Sequence, residues 1–331
     1  LNAQGADQVG VPETGAASTR WKELSERWSA DADVTILTSA PDYPEGELYD
    51  GYDNDWIHRE QRDGVDVIYT KTIASSSGTL VQRSLKFAWF MLMSFVVGLR
   101  YTSPNAVVAT SPQPLTGASA WLLARLNRAK FVFEVRDLWP ESILAVSEFD
   151  NRLVIWLLDR TVLFLYQRSD TLVVVSRAFI DPITERGVDP TKIEYYPNGI
   201  DPSFYITDGE PPASFPDLED DFTVTYVGTI GRAHGLSVVI DAARDLSDAQ
   251  FIIVGDGAER EQLEEEAADL DNVVFTGRRP KAEVPHYLEA ADAALVHLKP
   301  RDVFETVIPS KLLEAMAAGL PVILGVSGEA E

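Results

Sequence analysis

A chain of 331 residues exceeds the usual single-domain size, so two domains of roughly 150 residues each are expected, and 45% hydrophobic with 24% charged residues is globular composition, not that of a disordered chain. Acidic residues outnumber basic ones 52 to 28, for a formal charge of -24; that field repels nucleic acid, which excludes it as a partner, and any phosphate ligand needs a local site. Cysteine is absent, which removes disulfides, zinc-thiolate sites and cysteine nucleophiles and fits a cytoplasmic setting, while twenty arginines against eight lysines and the carboxylate surplus read as a halophilic source.

From residue 34 onward short β-branched runs alternate with longer amphipathic stretches. Strands are expected at 34–38, 65–69, 106–109, 131–135 and 171–175, and helices at 16–29, 80–99, 115–127, 152–167 and 177–186. The stretch 201–221 holds four prolines and seven acidic residues without a sustained period and reads as a linker. A second series follows, with strands at 224–227, 251–254, 273–275, 293–298 and 322–324 separated by helices at 235–246, 259–269, 282–289 and 309–318. This βαβ rhythm predicts two doubly wound, Rossmann-like parallel-sheet domains, 1–205 and 206–331, facing a cleft at the carboxyl ends of both sheets.

One helix stands apart. Residues 87–99, FAWFMLMSFVVGL, carry no charge and are bounded by Lys86 and Arg100. The run is too short to span a bilayer; it is either a buried core helix or a face that makes peripheral contact with a membrane.

Several glycine-rich segments sit where strands turn into helices. Gly15, in Pro12-Glu13-Thr14-Gly15, precedes the first helix, whose amide groups suit a phosphate. Gly228, Thr229, Gly231, Arg232, His234 and Gly235 follow a strand and open a helix, the βα turn where phosphates bind, with Arg232 or His234 available to a diphosphate. Gly257 closes the next strand and Arg278 the one after it, where a guanidinium can stack on a base or reach a phosphate; ordinary turn and surface roles remain open for both. The densest constellation is VIPSKLLEAMAAGLP at 307–321: Pro309 and Ser310 start a helix, Gly319 ends it, Lys311 supplies a cation, and Glu314 offers two acceptors suited to a ribose diol.

At these residues, together with Arg136-Asp137-Leu138-Trp139-Pro140-Glu141-Ser142 and Pro197-Asn198-Gly199-Ile200-Asp201, the chain resembles glycosyltransferase family 4, the retaining transferases of GT-B fold that build surface polysaccharides. The resemblance implies transfer of a hexosyl or N-acetylhexosaminyl group from a nucleotide-diphosphate sugar, UDP-linked, to a hydroxyl of a lipid-linked or polysaccharide acceptor. It also implies no cofactor and no metal, and a place in the cytoplasm or at the inner face of the cell membrane. Lys311, Glu314 and Arg232 fall in the catalytic positions. Gly15, Gly228, Thr229, His234, Gly257, Arg278, Pro309 and Ser310 fall on the donor side, and Arg136 and Asp137 on the acceptor side, where a buried structural ion pair is the alternative. The family motif has two glutamates separated by seven residues: Glu314 matches the second, Thr306 stands at the first, and Glu305 precedes it. Relatives also begin with an apolar strand that 1–11 lack and continue beyond residue 331, so a truncated chain is expected. A nucleotide-sugar 2-epimerase and a non-catalytic sugar-nucleotide binder are the alternative functions.

Overall fold

The computed structural model describes residues 2–4, 16–42, 48–49, 51–73, 80–111, 113–146, 151–200, 211–212, 215–216 and 221–331. The chain divides into two units: Leu1–Glu141 with Phe149–Pro197, and Ser142–Glu148 with Asn198–Glu331. The boundary expected at 205 and most of the proline-rich stretch lie outside the described residues.

Along the chain to residue 197 the elements are β1 (Asn2–Gln4), α1 (Ala16–Trp28), β2 (Thr35–Ser39), β3 (Ile57–Arg62), β4 (Val65–Thr70), α2 (Leu80–Tyr101), β5 (Ala106–Thr110), α3 (Pro114–Asn127), β6 (Lys130–Val135), α4 (Glu141–Val146), α5 (Arg152–Arg168), β7 (Thr171–Val174), α6 (Ile180–Glu185) and β8 (Ile193–Tyr195). The first unit is an eight-stranded sheet of order β3-β4-β2-β1-β5-β6-β7-β8, in which only β3 runs antiparallel. Every strand and helix expected in this half forms. Three strands were not expected, each for a physical reason. β1 is only three residues, the polar Asn2 and Gln4 flanking Ala3, yet it lies between β2 and β5, parallel to both. β3 is a charged run, Ile57 to Arg62, with no hydrophobic alternation to announce it. It is held by the tight turn at Asp63 and Gly64, both at positive φ (48° and 80°), which matches the twist of a hairpin. β8 is a short edge strand paired with β7.

Central strands are buried on both faces, which is why they read as continuous apolar runs: four of the five β5 residues, Val107 to Thr110, are buried. α3 packs between α2 and α5. On the sheet Trp21 of α1 is 1% exposed and meets Trp28 edge to face at 5.8 Å. The ends of α5 are satisfied from the sequence around it. The Asn151 carboxamide accepts from the Leu153 and Val154 amides at its start, and the Lys192 ammonium donates to the carbonyls of Tyr166, Gln167 and Ser169 at its end. A buried polar chain crosses the unit: Arg20 donates to Glu134 at 2.9 Å, and the Thr110 hydroxyl donates to the other oxygen of the same carboxylate at 2.7 Å.

The second unit contains β9 (Phe222–Val227), α7 (Ser237–Asp245), β10 (Ala249–Val254), α8 (Arg260–Glu266), β11 (Val273–Gly277), α9 (Val284–Glu289), β12 (Ala293–His297), α10 (Ser310–Ala317) and β13 (Val322–Gly325). All five strands are parallel, in the order β11-β10-β9-β12-β13. β10, AQFIIV, is buried at every position. The winding runs outward from β9 to β11 and then resumes on the other side with β12, so the order reverses between β9 and β12. Ligands of open α/β sheets bind outside the carboxyl ends of strands at such a reversal.

Candidate active site

The loop after β9 and the loop after β12 meet at this reversal. His297, the last residue of β12, hydrogen-bonds through Nδ1 to the His234 carbonyl. The Lys299 amide donates to the Ala233 carbonyl at 2.8 Å. Gly235 stands at φ 59°, and a β-carbon there would lie 2.9 Å from the Lys299 side chain, so glycine is required on both counts.

Glycines also let the loops after β9 and β10 nest. The Gly228 amide donates to the Val254 carbonyl and the Ile230 amide to the Asp256 carbonyl, each at 2.9 Å. A β-carbon on Gly255 would fall 1.8 Å from the Gly228 oxygen, and one on Gly257 2.3 Å from the Ile230 oxygen. Backbone packing thus accounts for both glycines without a ligand.

Lys311, in the first turn of α10, reaches back across the sheet to β9. Its ammonium donates to the Tyr226 hydroxyl at 2.6 Å and sits 4.0 Å from the centre of that ring. The Tyr226 hydroxyl in turn donates to the Thr229 carbonyl at 2.7 Å, bracing the glycine turn. A β-carbon on Gly228 would lie 3.2 Å from the Lys311 nitrogen, so the bare glycine leaves the ammonium its place. Burial pulls the Lys311 pKa down to about 7, against the opposing influence of the nearby Glu314 carboxylate. Pro309 stands in extended conformation before α10 and Ser310 begins it, with no side chain capping the amides of that turn.

His234, by contrast, is held neutral. Burial foremost, then the Lys311 and His297 charges, depress its pKa to about 3, and its Nδ1 is buried without a hydrogen-bond partner. The positive charge of this turn therefore falls to Lys311 and the exposed Arg232. Thr229 is exposed beside them. Arg278 is exposed after β11, an edge strand of the sheet.

A cavity of about 290 Å³ opens beside this turn, lined by His297, Lys299, Arg301, Phe304, Glu305 and Ser327 among others. Glu305 faces it; Thr306 does not line it and spends its hydroxyl on the Val303 carbonyl at 2.7 Å. Both residues belong to a 3-10 turn over Asp302–Thr306.

In the first unit, the Arg136 and Asp137 amides both donate to the Ser111 hydroxyl, at 2.7 and 3.2 Å, which fixes the turn after β6. Burial raises the Asp137 carboxyl, opposed by Arg136. Among the described residues no ion pair joins the two, and the Arg136 Nε is buried without a partner. Gly15 lies outside the described residues. No group of three or more His, Asp or Glu side chains suited to a metal occurs among the described residues. Sequence reasoning missed Tyr226, His297 and Lys299; their signal was position, at and just beyond the carboxyl ends of two central strands.

Two families match this arrangement in tandem. Residues 15–199 match the one described as glycosyl transferase 4-like domain and residues 221–331 the one described as glycosyl transferases group 1. The chain belongs to glycosyltransferase family 4 and has the GT-B fold. It is similar to WcaI of Escherichia coli (strain K12), described as a colanic acid biosynthesis glycosyl transferase, with 25% identity over 301 residues, 87% of this chain and 74% of that one. It is similar also to WbjE of Pseudomonas aeruginosa, described as a glycosyltransferase, with 28% identity over 69% of this chain and 56% of that one. Among solved structures, Anabaena HepE in complex with UDP and glucose aligns with TM-score 0.68 at 17% identity, covering 100% of this chain and 82% of that one, a likeness of fold.

Proposed function

We propose that this glycosyltransferase moves a sugar from a nucleotide-diphosphate donor, UDP-linked, to a hydroxyl of a lipid-linked or polysaccharide acceptor, with retention of anomeric configuration. The observation that carries the reading is the Lys311 ammonium seated on Tyr226 beside Gly228, at the sheet reversal. Lys311, Arg232 and the uncapped first turn of α10 at Pro309 and Ser310 would neutralise the charge that builds on the departing diphosphate, electrostatic stabilisation worth about 10²–10³ in rate per well-placed donor. Gly228, Thr229, His234 and Gly257 shape the donor turn, Glu314 takes the ribose diol, and Arg136 and Asp137 hold the acceptor. The departing phosphate itself accepts the proton of the incoming hydroxyl, so no protein base is assigned.

The cavity beside Glu305 is the place for the sugar, and its carboxylate the group that faces the sugar hydroxyls. The group transferred is a hexosyl or N-acetylhexosaminyl one, and the glucose named with HepE is in keeping with the first of these. A polysaccharide acceptor is supported by the colanic acid named with WcaI, and peripheral membrane contact through 87–99 suits a lipid-linked one.

Titration calorimetry with UDP tests the site: Lys311→Ala and Glu314→Ala are each expected to weaken binding by about 1.5–3 kcal/mol, the range for hydrogen bonds to charged groups. Unchanged affinity in both variants would sink the assignment. Glu305→Gln is expected to lower kcat/KM for the sugar donor while leaving UDP affinity intact, and Thr306→Ala to change neither.

A further inference from the structure

The solvent face of the first unit is built against the usual rule. A surface helix ordinarily turns polar residues outward, but the exposed positions of α2 follow a helical stripe of Leu85, Ala88, Leu92, Val96 and Leu99, while Phe90, Met93 and Val97 fill the core behind it. Leu92 is 52% exposed. The stripe continues over its neighbours, since α3 packs between α2 and α5. α3 exposes Leu122 and Leu126, and the first two turns of α5 expose Leu153, Trp156 and Leu157.

Charge is segregated on the same three helices. They contain seven arginines and lysines and one acidic residue, Asp159, in a chain whose acidic residues outnumber basic ones 52 to 28. Asp159 is taken up by Arg186, and Lys86 by Asp42. Arg100, Arg125, Arg152, Arg160 and Arg168 are exposed, and none has a carboxylate within ion-pair distance among the described residues. Two of them lie over aromatic rings of α5, Arg160 over Trp156 at 5.9 Å and Arg168 over Phe164 at 5.8 Å, an apolar ring with a cation at its rim.

We propose that the outward faces of α2, α3 and α5 form one platform that docks on an anionic lipid surface, leucines and Trp156 entering the headgroup boundary and the five arginines pairing with lipid phosphates. A second copy of the chain is the poorer occupant, because self-pairing of this face would set its unpaired arginines against one another. The remaining acidic surface is repelled by the same lipid, so the molecule approaches with this face first. No helix among the described residues is long and apolar enough to cross a membrane, so contact is at the interface. The inference extends the membrane contact of 87–99 to three helices and rests on the transfer reading only for the lipid-linked acceptor.

Cosedimentation of the full chain with phosphatidylcholine vesicles, with and without phosphatidylglycerol, tests it. Binding is expected to require phosphatidylglycerol, and Arg125→Glu with Arg160→Glu to weaken it by about tenfold or more, from the attraction near an anionic surface of each arginine removed. Leu92→Glu with Leu157→Glu is expected to abolish binding. UDP affinity is expected to stay unchanged in both double variants, which also reports their folding. Equal binding to both vesicle types, or to neither, overturns the platform, as does a dimer in light scattering that Leu92→Glu dissolves. Loss of UDP binding by the unaltered chain would instead overturn the transfer reading and leave the vesicle result standing.

Discussion

Lys311 and Tyr226 are 85 positions apart in the chain and 2.6 Å apart in space, ammonium to phenol oxygen. Because the same hydroxyl donates to the Thr229 carbonyl, Tyr226 positions both the cation and the turn that faces it. Tyr226→Phe keeps the ring under the ammonium and removes both hydrogen bonds. It is expected to destabilise the protein by about 1–3 kcal/mol in urea unfolding, and an unchanged midpoint would contradict the role given to the hydroxyl.

Proton linkage at Lys311 has a definite sign. Its folded pKa, about 7, lies below the ordinary lysine value of 10.5, so between those limits the unfolded chain binds more protons and stability rises with pH. Below about pH 7 the ammonium is charged in both states and that contribution is lost. Lys311→Met is expected to flatten the pH dependence of unfolding across this window. Binding of an anionic diphosphate favours the charged form, so calorimetry of UDP in buffers of different ionisation heat should register proton uptake above pH 7 that Lys311→Met removes.

The glycines differ in what they are for. Gly255→Ala would place a β-carbon 1.8 Å from the Gly228 oxygen at φ 145° and is expected to cost about 3 kcal/mol, at the upper end of overpacking effects. A β-carbon on Gly231 would approach nothing beyond its chain neighbours closer than 3.6 Å, and its φ is ordinary, so Gly231→Ala should stay within about 0.5 kcal/mol. Equal losses, read by denaturant unfolding, would refute the packing account.

Glu134 and Lys130 sit on the same strand with opposite expectations. Glu134 is 4% exposed and holds Arg20, so Glu134→Ala leaves a part-buried guanidinium with backbone carbonyls but no carboxylate and should cost about 3 kcal/mol. The Lys130 pair with Asp170 is open to water, with the lysine 75% exposed, and Lys130→Ala should cost at most about 1 kcal/mol. Comparable losses would mean that burial does not govern these pairs.

Much of this molecule was legible in the order of its residues. β-branched runs bounded by glycine, proline and aspartate marked ten of the thirteen strands, since burial on both faces of a parallel sheet demands such runs. Pro309, Ser310, Lys311 and Glu314 were legible for a related reason: a helix start, a cation and a carboxylate one turn on are local features whose spacing survives folding. β1 and β3 escaped notice because their residues are mostly polar, and their pairing comes from neighbouring strands and from the Asp63-Gly64 turn. Only the tertiary structure decided that Tyr226 holds Lys311, that His234 is neutral, and that Glu305 rather than Thr306 lines the cavity. Each depends on distance, burial or rotation between segments remote in sequence, which residue spacing does not encode. The same holds for 87–99: its lack of charge is written in the sequence, but that its outward stripe adjoins the leucines and arginines of α3 and α5 follows from helix packing alone.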